Sequence, residues 1–406
     1  METTVSKKIR RQRKRPILDL AAHIIETIRT DGPMSRVELA RKIGVGAATT
    51  GNYAEKMIEA GLLYERSDSA KVYSGKGRPP TLVDLNTEGG ALVGIDVEGP
   101  VLRVIRFDFC LNAKMERVET ISPELEFASL KRIIVKAVQA VRPDPSENWL
   151  GIGLAFPGPV AEDEPGFFPG VERTKLADAL AARFGVPVHA DNDMCCMAYG
   201  ERMKGAGRYQ DYFLALAARA GWVGAAVFGS GELTAGPQRG LEINRWLLPV
   251  SGDLDLPQPD DVSESGQKRY QLSRLASVTG LLVIHEAVRA RRGGKGEALN
   301  NFDEFCERLE AGDPLTVEAA EVTAEAVGRV IARIDDIMNF EEIVLDGLFV
   351  DMGDAFLGAV NRHCHRFSMR REPRQSDKIV YTGLGESAGA LGAAALCLKF
   401  WEYSEV

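Results

Sequence analysis

No apolar run in this 406-residue chain approaches the roughly 20 residues needed to cross a bilayer, and its basic beginning lacks the apolar stretch of a signal peptide. The expectation is therefore a cytoplasmic protein with no membrane partner. The six cysteines, at 110, 195, 196, 306, 364 and 397, include no C-x-x-C pair, which argues for reduced thiols over disulfides or zinc. His363, Cys364 and His365 are consecutive, and consecutive helical residues point in different directions, so they make a poor metal site. No metal and no cofactor are expected.

The composition, 45% hydrophobic and 27% charged, is that of a globular protein, and the length suggests two or three domains. Charge is unevenly spread. Through Asn86 the chain carries 16 Lys and Arg against 10 Asp and Glu, a net +6, which leaves −14 for the rest of a chain whose total is −8. Such a split points to a nucleic-acid module on an acidic body. Residues 1–15 include KKIRRQRKR, either an arm for DNA or a solvated tail.

Residues 16–31 carry apolar positions at helical spacing, and Gly32 and Pro33 end the segment. Ser35 followed three residues later by Glu38 spells a capping box for a helix reaching Ile43. Gly44 permits a tight turn, and a second helix is expected from Ala47 to Glu59, stopped by Gly61. This is a helix-turn-helix. Small or polar residues at the leading turn of its second helix, Ala47, Ala48, Thr49, Thr50 and Asn52, suit entry into a major groove, with Ser35, Arg36 and Lys56 beside them. After Leu63 two short strands around a basic hairpin read as a wing, where Gly75, Lys76, Gly77 and Arg78 would track DNA backbone. A helical protein-interaction domain is the other reading of residues 16–86.

From Ala91 strands alternate with helices: VGIDVEG, VLRVIRFDF, a helix near 125–141, WLGIGLAFPGPV, a helix near 174–184 and VPVHADND. FLALAARAGWVGAAVFGSGEL reads as another pair of strands, 271–338 as a long helical stretch, EEIVLDGLFV as a strand, and YTGLGESAGALGAAALCLKF as a final helix. The pattern is α/β with covered sheets. ALVGIDVEGPVLRV, 91–104, opens like a phosphate-binding strand and turn, then places Glu98 and Pro100 where backbone N–H groups and no negative charge are needed.

The combination of LAFPGPV (154–160), PVHADNDMCCMAYGE (187–201) and LGESAGALGAAAL (384–396), downstream of a winged helix-turn-helix, resembles the ROK family of repressors and sugar kinases. The likeness covers nearly all of the chain. It implies a two-lobed actin-like ATPase fold (ribonuclease H-like) over 87–406 with a sugar in the cleft. Members with the helix-turn-helix look like sugar-responsive repressors, such as those of xylose or N-acetylglucosamine operons, and members without it are usually kinases. By this resemblance Asp96 belongs to a first phosphate loop, spoiled by Glu98 and Pro100. A second loop, expected as Gly-Thr-Gly-x-Gly, survives only as Gly221, Trp222 and Gly224, with Trp222 where backbone should approach phosphate. Arg219 nearby could bind an anion.

The sugar side matches better. Asn192 and Asp193 fall where the kinases hold sugar hydroxyls and place their general base, although Asp193 also reads locally as a helix N-cap. Phe156, Pro157, Gly158 and Pro159 match the turn that lines the cleft in the family, and a plain strand-end turn fits them equally. Glu242 stands where the family binds sugar, three residues before a zinc-ligating His whose place Arg245 takes. No cysteine occurs between Cys196 and Cys306, so a zinc loop of the family type is excluded, and the acidic stretch 251–265 reads as a flexible replacement. The expectation is a transcriptional repressor without kinase chemistry, acting as a homodimer or homotetramer on a palindromic double-stranded DNA operator and answering to a sugar. An ATP-dependent sugar kinase that binds DNA, and a regulator with an empty cleft, are the competing readings.

Overall fold

The computed structural model describes residues 20–67, 81–122, 124–158, 168, 170–229, 232–233, 241–251, 254–294, 296–369 and 378–400. The proposed arm and the wing-tip residues Gly75, Lys76, Gly77 and Arg78 lie outside them, as does Pro159. The chain divides into two compact units, one of Gly90–Leu398 and a smaller one of the residues through Gly89 with those from Lys399 on. No described helix is long and apolar enough to cross a membrane.

In the smaller unit α1 (Leu20–Asp31) packs on a helix pair, α2 (Arg36–Ile43) and α3 (Ala47–Glu59). Local signals set these boundaries. The Ser35 hydroxyl accepts from the Glu38 N–H while the Glu38 carboxylate accepts from the Ser35 N–H at 3.0 Å, and Gly44 leaves α2 in the left-handed conformation at φ 74°. β1 (Met34–Ser35), β2 (Leu63–Ser67) and β3 (Thr81–Leu85) form an antiparallel sheet in the order β1-β3-β2. Ile24, Leu39, Ala54, Met57 and Val83 are fully buried in this unit.

The larger unit has two lobes. In the first, β4 (Ala91–Glu98), β5 (Val101–Asp108), β6 (Ala113–Thr120), β7 (Trp149–Phe156) and β8 (Val188–Asn192) form a sheet ordered β6-β5-β4-β7-β8. β4 pairs antiparallel with β5 through the two-residue turn Gly99–Pro100 and parallel with β7. Its side chains alternate. Val93, Ile95 and Val97 join the core formed with α4 (Phe127–Val141) and α5 (Arg173–Phe184), while Gly94 and Asp96 face the other way. β6, which sequence reading missed, is a polar edge strand exposed along nearly its whole length. From β8 the chain enters α6 (Asp193–Lys204), buried almost all round because it packs against β7, β9 and β10.

The second lobe contains β9 (Tyr212–Ala218), β10 (Val223–Gly229) and β11 (Glu232–Leu233), then a small sheet of β12 (Leu247–Pro249), β13 (Asp261–Val262) and β14 (Lys268–Gln271). The expected long helical stretch of 271–338 is made of four helices: α7 (Leu272–Ala276), α8 (Val278–Arg291), α9 (Phe302–Glu310) and α10 (Pro314–Met338). Gly293, Gly294 and the Gly312-Asp313-Pro314 run interrupt it, with Asp313 capping α10. β15 (Glu342–Gly347), α11 (Leu348–Asp351), α12 (Gly353–Phe367) and β16 (Ile379–Tyr381) complete a sheet ordered β11-β10-β9-β15-β16, covered by α8, α10 and α12. The stretch 251–265, expected to be flexible, is anchored at two described positions. Leu254 and Leu256 are buried, and the Tyr270 hydroxyl donates to the Leu256 carbonyl at 2.9 Å, because apolar residues alternate with the acids there.

The last helix, α13 (Ala388–Lys399), runs back against the first lobe. Its small residues allow backbone contact. A Cβ at Gly94 of β4 or Gly153 of β7 would collide with the Ala390 or Ala393 carbonyl of α13.

Candidate functional site

β4, α6 and β15 each deliver one buried aspartate to the region between the two sheets. Asp96 on β4 is 3% exposed, Asp193 at the start of α6 9%, and Asp346 near the end of β15 2%. Burial raises the Asp96 carboxyl to about 6, against the opposing pull of Arg219 and Arg103. Burial, followed by the charge of Asp96, raises Asp193 to about 7. Asp96 also abuts α13, since a Cβ at Gly389 would run into its carboxylate. Arg103, its cross-strand partner on β5, ion-pairs with Glu116 and with Glu386 in the turn that precedes α13.

The turns expected to belong to the phosphate loops are closed on each other. Glu98 is the last residue of β4 and ion-pairs with the Nε of Arg219, the first residue of the β9–β10 turn. A second guanidinium nitrogen of Arg219 lies 3.4 Å from Asp346 Oδ2. The turn is held by the Arg219 N–H, which donates to the Trp222 carbonyl at 2.9 Å. The N-terminal amides of α8 are also taken: Val278 donates to the Arg219 carbonyl and Thr279 to the Ala220 carbonyl. Trp222 lies over Gly224 and, with Met194 of α6, fills the space a side chain there would need. Gly221 is exposed, and Pro100 accepts a hydrogen bond from the Ile121 N–H.

Among the residues expected to bind sugar, Asn192 caps α6, its Oδ1 accepting from the N–H groups of Met194 and Cys195. That corrects the N-cap reading of Asp193, which is the first helical residue and accepts from the Met194 N–H through Oδ1, at 2.9 Å, and from its own N–H. The Asn192 amide donates to the Gly158 carbonyl at 3.1 Å, so the β7 turn and the start of α6 are tied together. Asn192, Asp193 and Gly158 therefore converge. Glu242 does not join them through any hydrogen bond or ion pair among the described residues; it is exposed, as is Arg245.

The helix-turn-helix residues sort by face. Ala47, Ala48, Thr49, Asn52 and Lys56 are exposed along α3. Thr50 is a correction: it is fully buried, and its Oγ1 has no hydrogen-bond partner among the described residues. One step along a helix turns a side chain by about 100°, which takes Thr50 from the outer face to the core beside Ala54 and Met57. Ser35 spends its hydroxyl on the cap, and Arg36 pairs with Glu65 at 2.9 Å and Glu55 at 4.0 Å. Sequence reading missed Asp346, Arg103 and Glu386. A signal for Asp346 exists, because VGIDVEG and IVLDG are both apolar runs ending in aspartate shortly before glycine.

The sequence profile of the ROK family matches residues 92–245 and 267–399. A xylose repressor from Caldicellulosiruptor bescii is 24% identical over 400 residues, covering 94% of this chain and 96% of its own. Among solved structures, a ROK family transcriptional regulator described as a homologue of the E. coli MLC protein superposes with a TM-score of 0.74 at 19% identity, covering 95% of this chain and 96% of its own. A ROK family glucokinase from Streptomyces griseus in complex with glucose and AMPPNP gives 0.62 at 19% identity, over 76% of this chain and 99% of its own. The last match is shorter on this side by about the length of the smaller unit.

Proposed function

Given that the chain belongs to the ROK family, with the two-lobed actin-like ATPase fold behind a winged helix-turn-helix, we propose that it is a DNA-binding transcriptional repressor that senses a sugar and transfers no phosphate. The observation that carries the reading is a helix-turn-helix unit joined to a body of the kinase fold in which Glu98 of one lobe ion-pairs with Arg219 of the other. A nucleotide entering there must break that pair and meet the Glu98 carboxylate. The family of the xylose repressor supports the same reading.

Residues 16–86 bind DNA in this proposal and residues 87–406 bind the sugar and oligomerise. Thr49 and Asn52, with Ala47 and Lys56, meet the major groove; residues 1–15 add phosphate contacts. Asn192, Asp193 and the Gly158 turn hold the sugar, since together they offer donors and acceptors to vicinal hydroxyls. A palindromic operator matches a homodimer or homotetramer in the cytoplasm, and the sugar releases DNA by its differential affinity for two lobe arrangements.

The test is selection of tight-binding duplexes from random double-stranded DNA by the full chain, followed by release with simple sugars, amino sugars and sugar phosphates. One sugar that releases the selected DNA supports the repressor. Sugar-dependent phosphate transfer from ATP–Mg²⁺, abolished by Asp193→Ala, replaces it with the kinase, and DNA binding deaf to every sugar replaces it with a ligand-independent regulator.

A further inference from the structure

In an open two-lobed cleft, a bound phosphate chain can draw the lobes together because both reach for the same anion. Here both lobes already reach for one. Glu98 ends β4 of the first lobe, and the Gly99–Pro100 turn leaves no slack in the strand that carries it. Arg219 opens the β9–β10 turn of the second lobe, with its backbone bonded at both N–H and carbonyl. Its guanidinium is two-sided, with one nitrogen on Glu98 across the cleft and another on Asp346 within its own lobe. The side chains of the Glu98–Arg219 pair are only 16% and 17% exposed, so water screens them weakly.

We propose that Glu98 is a tethered anion standing in for the nucleotide phosphates and that Arg219 is its receptor, so that this pair is the positioning contact holding the lobes in register. The inference rests on the reading that the cleft takes no nucleotide. A planar fork that can serve two carboxylates suits the role, and lysine, a single point charge, does not. A carboxylate supplied by the same chain sits at the high effective concentration of an intramolecular partner. The lobes are then held without a cofactor, and the only ligand left to alter them is the one bound beside Asn192 and Asp193.

Hydrogen exchange of the full chain tests this, read in peptides covering the β4–β5 turn and the β9–β10 turn. Arg219→Met and Glu98→Gln should each speed exchange at least several-fold in both turns, and the double variant should add little. Arg219→Lys, which keeps the charge and guards against a folding artefact, should give an intermediate rate in both. Acceleration confined to the substituted turn, or effects that add in the double variant, overturns the bridge. A separate thermal-shift measurement of the wild type with ATP–Mg²⁺ bears on the underlying reading: a rise in melting temperature overturns that reading, and none is expected.

Discussion

The two sides of the cleft handle their polar groups differently. On the side expected for phosphate, Glu98 pairs with Arg219, Arg219 with Asp346, and the first amides of α8 with carbonyls of the adjoining turn, while Asp96 is raised to about 6 by burial against the pull of Arg219 and Arg103. On the sugar side the backbone is just as firmly tied, through Asn192 to Gly158 and to α6, but the Asp193 carboxyl stands near its midpoint of ionisation at neutral pH. Arg219, committed to two carboxylates, has little left to offer an anionic ligand. A side that fixes its frame and leaves one carboxyl unsettled is ready for a ligand. The same contrast recurs one residue apart in α3, where Thr49 faces outward and Thr50 faces the core.

The largest test of that asymmetry is Asp193→Ala, expected to weaken binding of the releasing sugar by about 100-fold, consistent with the loss of a charged hydrogen-bonding group. Glu98→Gln should change it by less than about tenfold in the same calorimetric titration. Equal losses would erase the distinction between the two sides. Next is the pH dependence of stability. Asp193 is raised from 3.8 to about 7, so its protonated form favours the folded state, an advantage complete below about pH 4 and lost as pH rises through 7. Asp193→Asn should therefore stabilise the protein little at pH 4 and by on the order of 2–4 kcal/mol at pH 8, measured by chemical denaturation. Glu201, raised to about 7 by burial although Ala206 and Thr382 donate to it, should contribute in the same direction.

In the smaller unit, Thr49→Ala and Asn52→Ala should each cost about 1–3 kcal/mol in operator binding, with far smaller losses on non-specific DNA. Thr50→Val should leave operator affinity unchanged and raise stability by about 1 kcal/mol, since it replaces a buried hydroxyl that lacks a partner with a methyl. A loss of operator affinity in Thr50→Val with stability unchanged would show that α3 presents a different face.

The helix pair was legible because its boundaries are written locally, in Ser35, Glu38, Gly44 and Gly61. The family fold was legible in three motifs that lie at strand ends and in α13. Thr50 was misread because residue type alone does not fix helical register. The Glu98–Arg219 pair and the meeting of Asp96, Asp193 and Asp346 were beyond sequence reading because each joins segments brought together only by the packing of two sheets around α6. The breaks before α9 and before α10 coincide with glycines of the sequence, the α7–α8 break at Ser277 does not, and β6 was hidden by its polar composition.

The close seating of α13 on Gly94 and Gly153 bears on how this protein tolerates change. A survey of all single substitutions, scored for regulation in cells, should show an intolerant stripe along β4, β7 and α13, at which even alanine for glycine is rejected. Those positions touch neither DNA nor sugar in the proposal above. Alleles mapping there will resemble loss of either activity, so the genetics of this regulator should be read with protein abundance measured alongside.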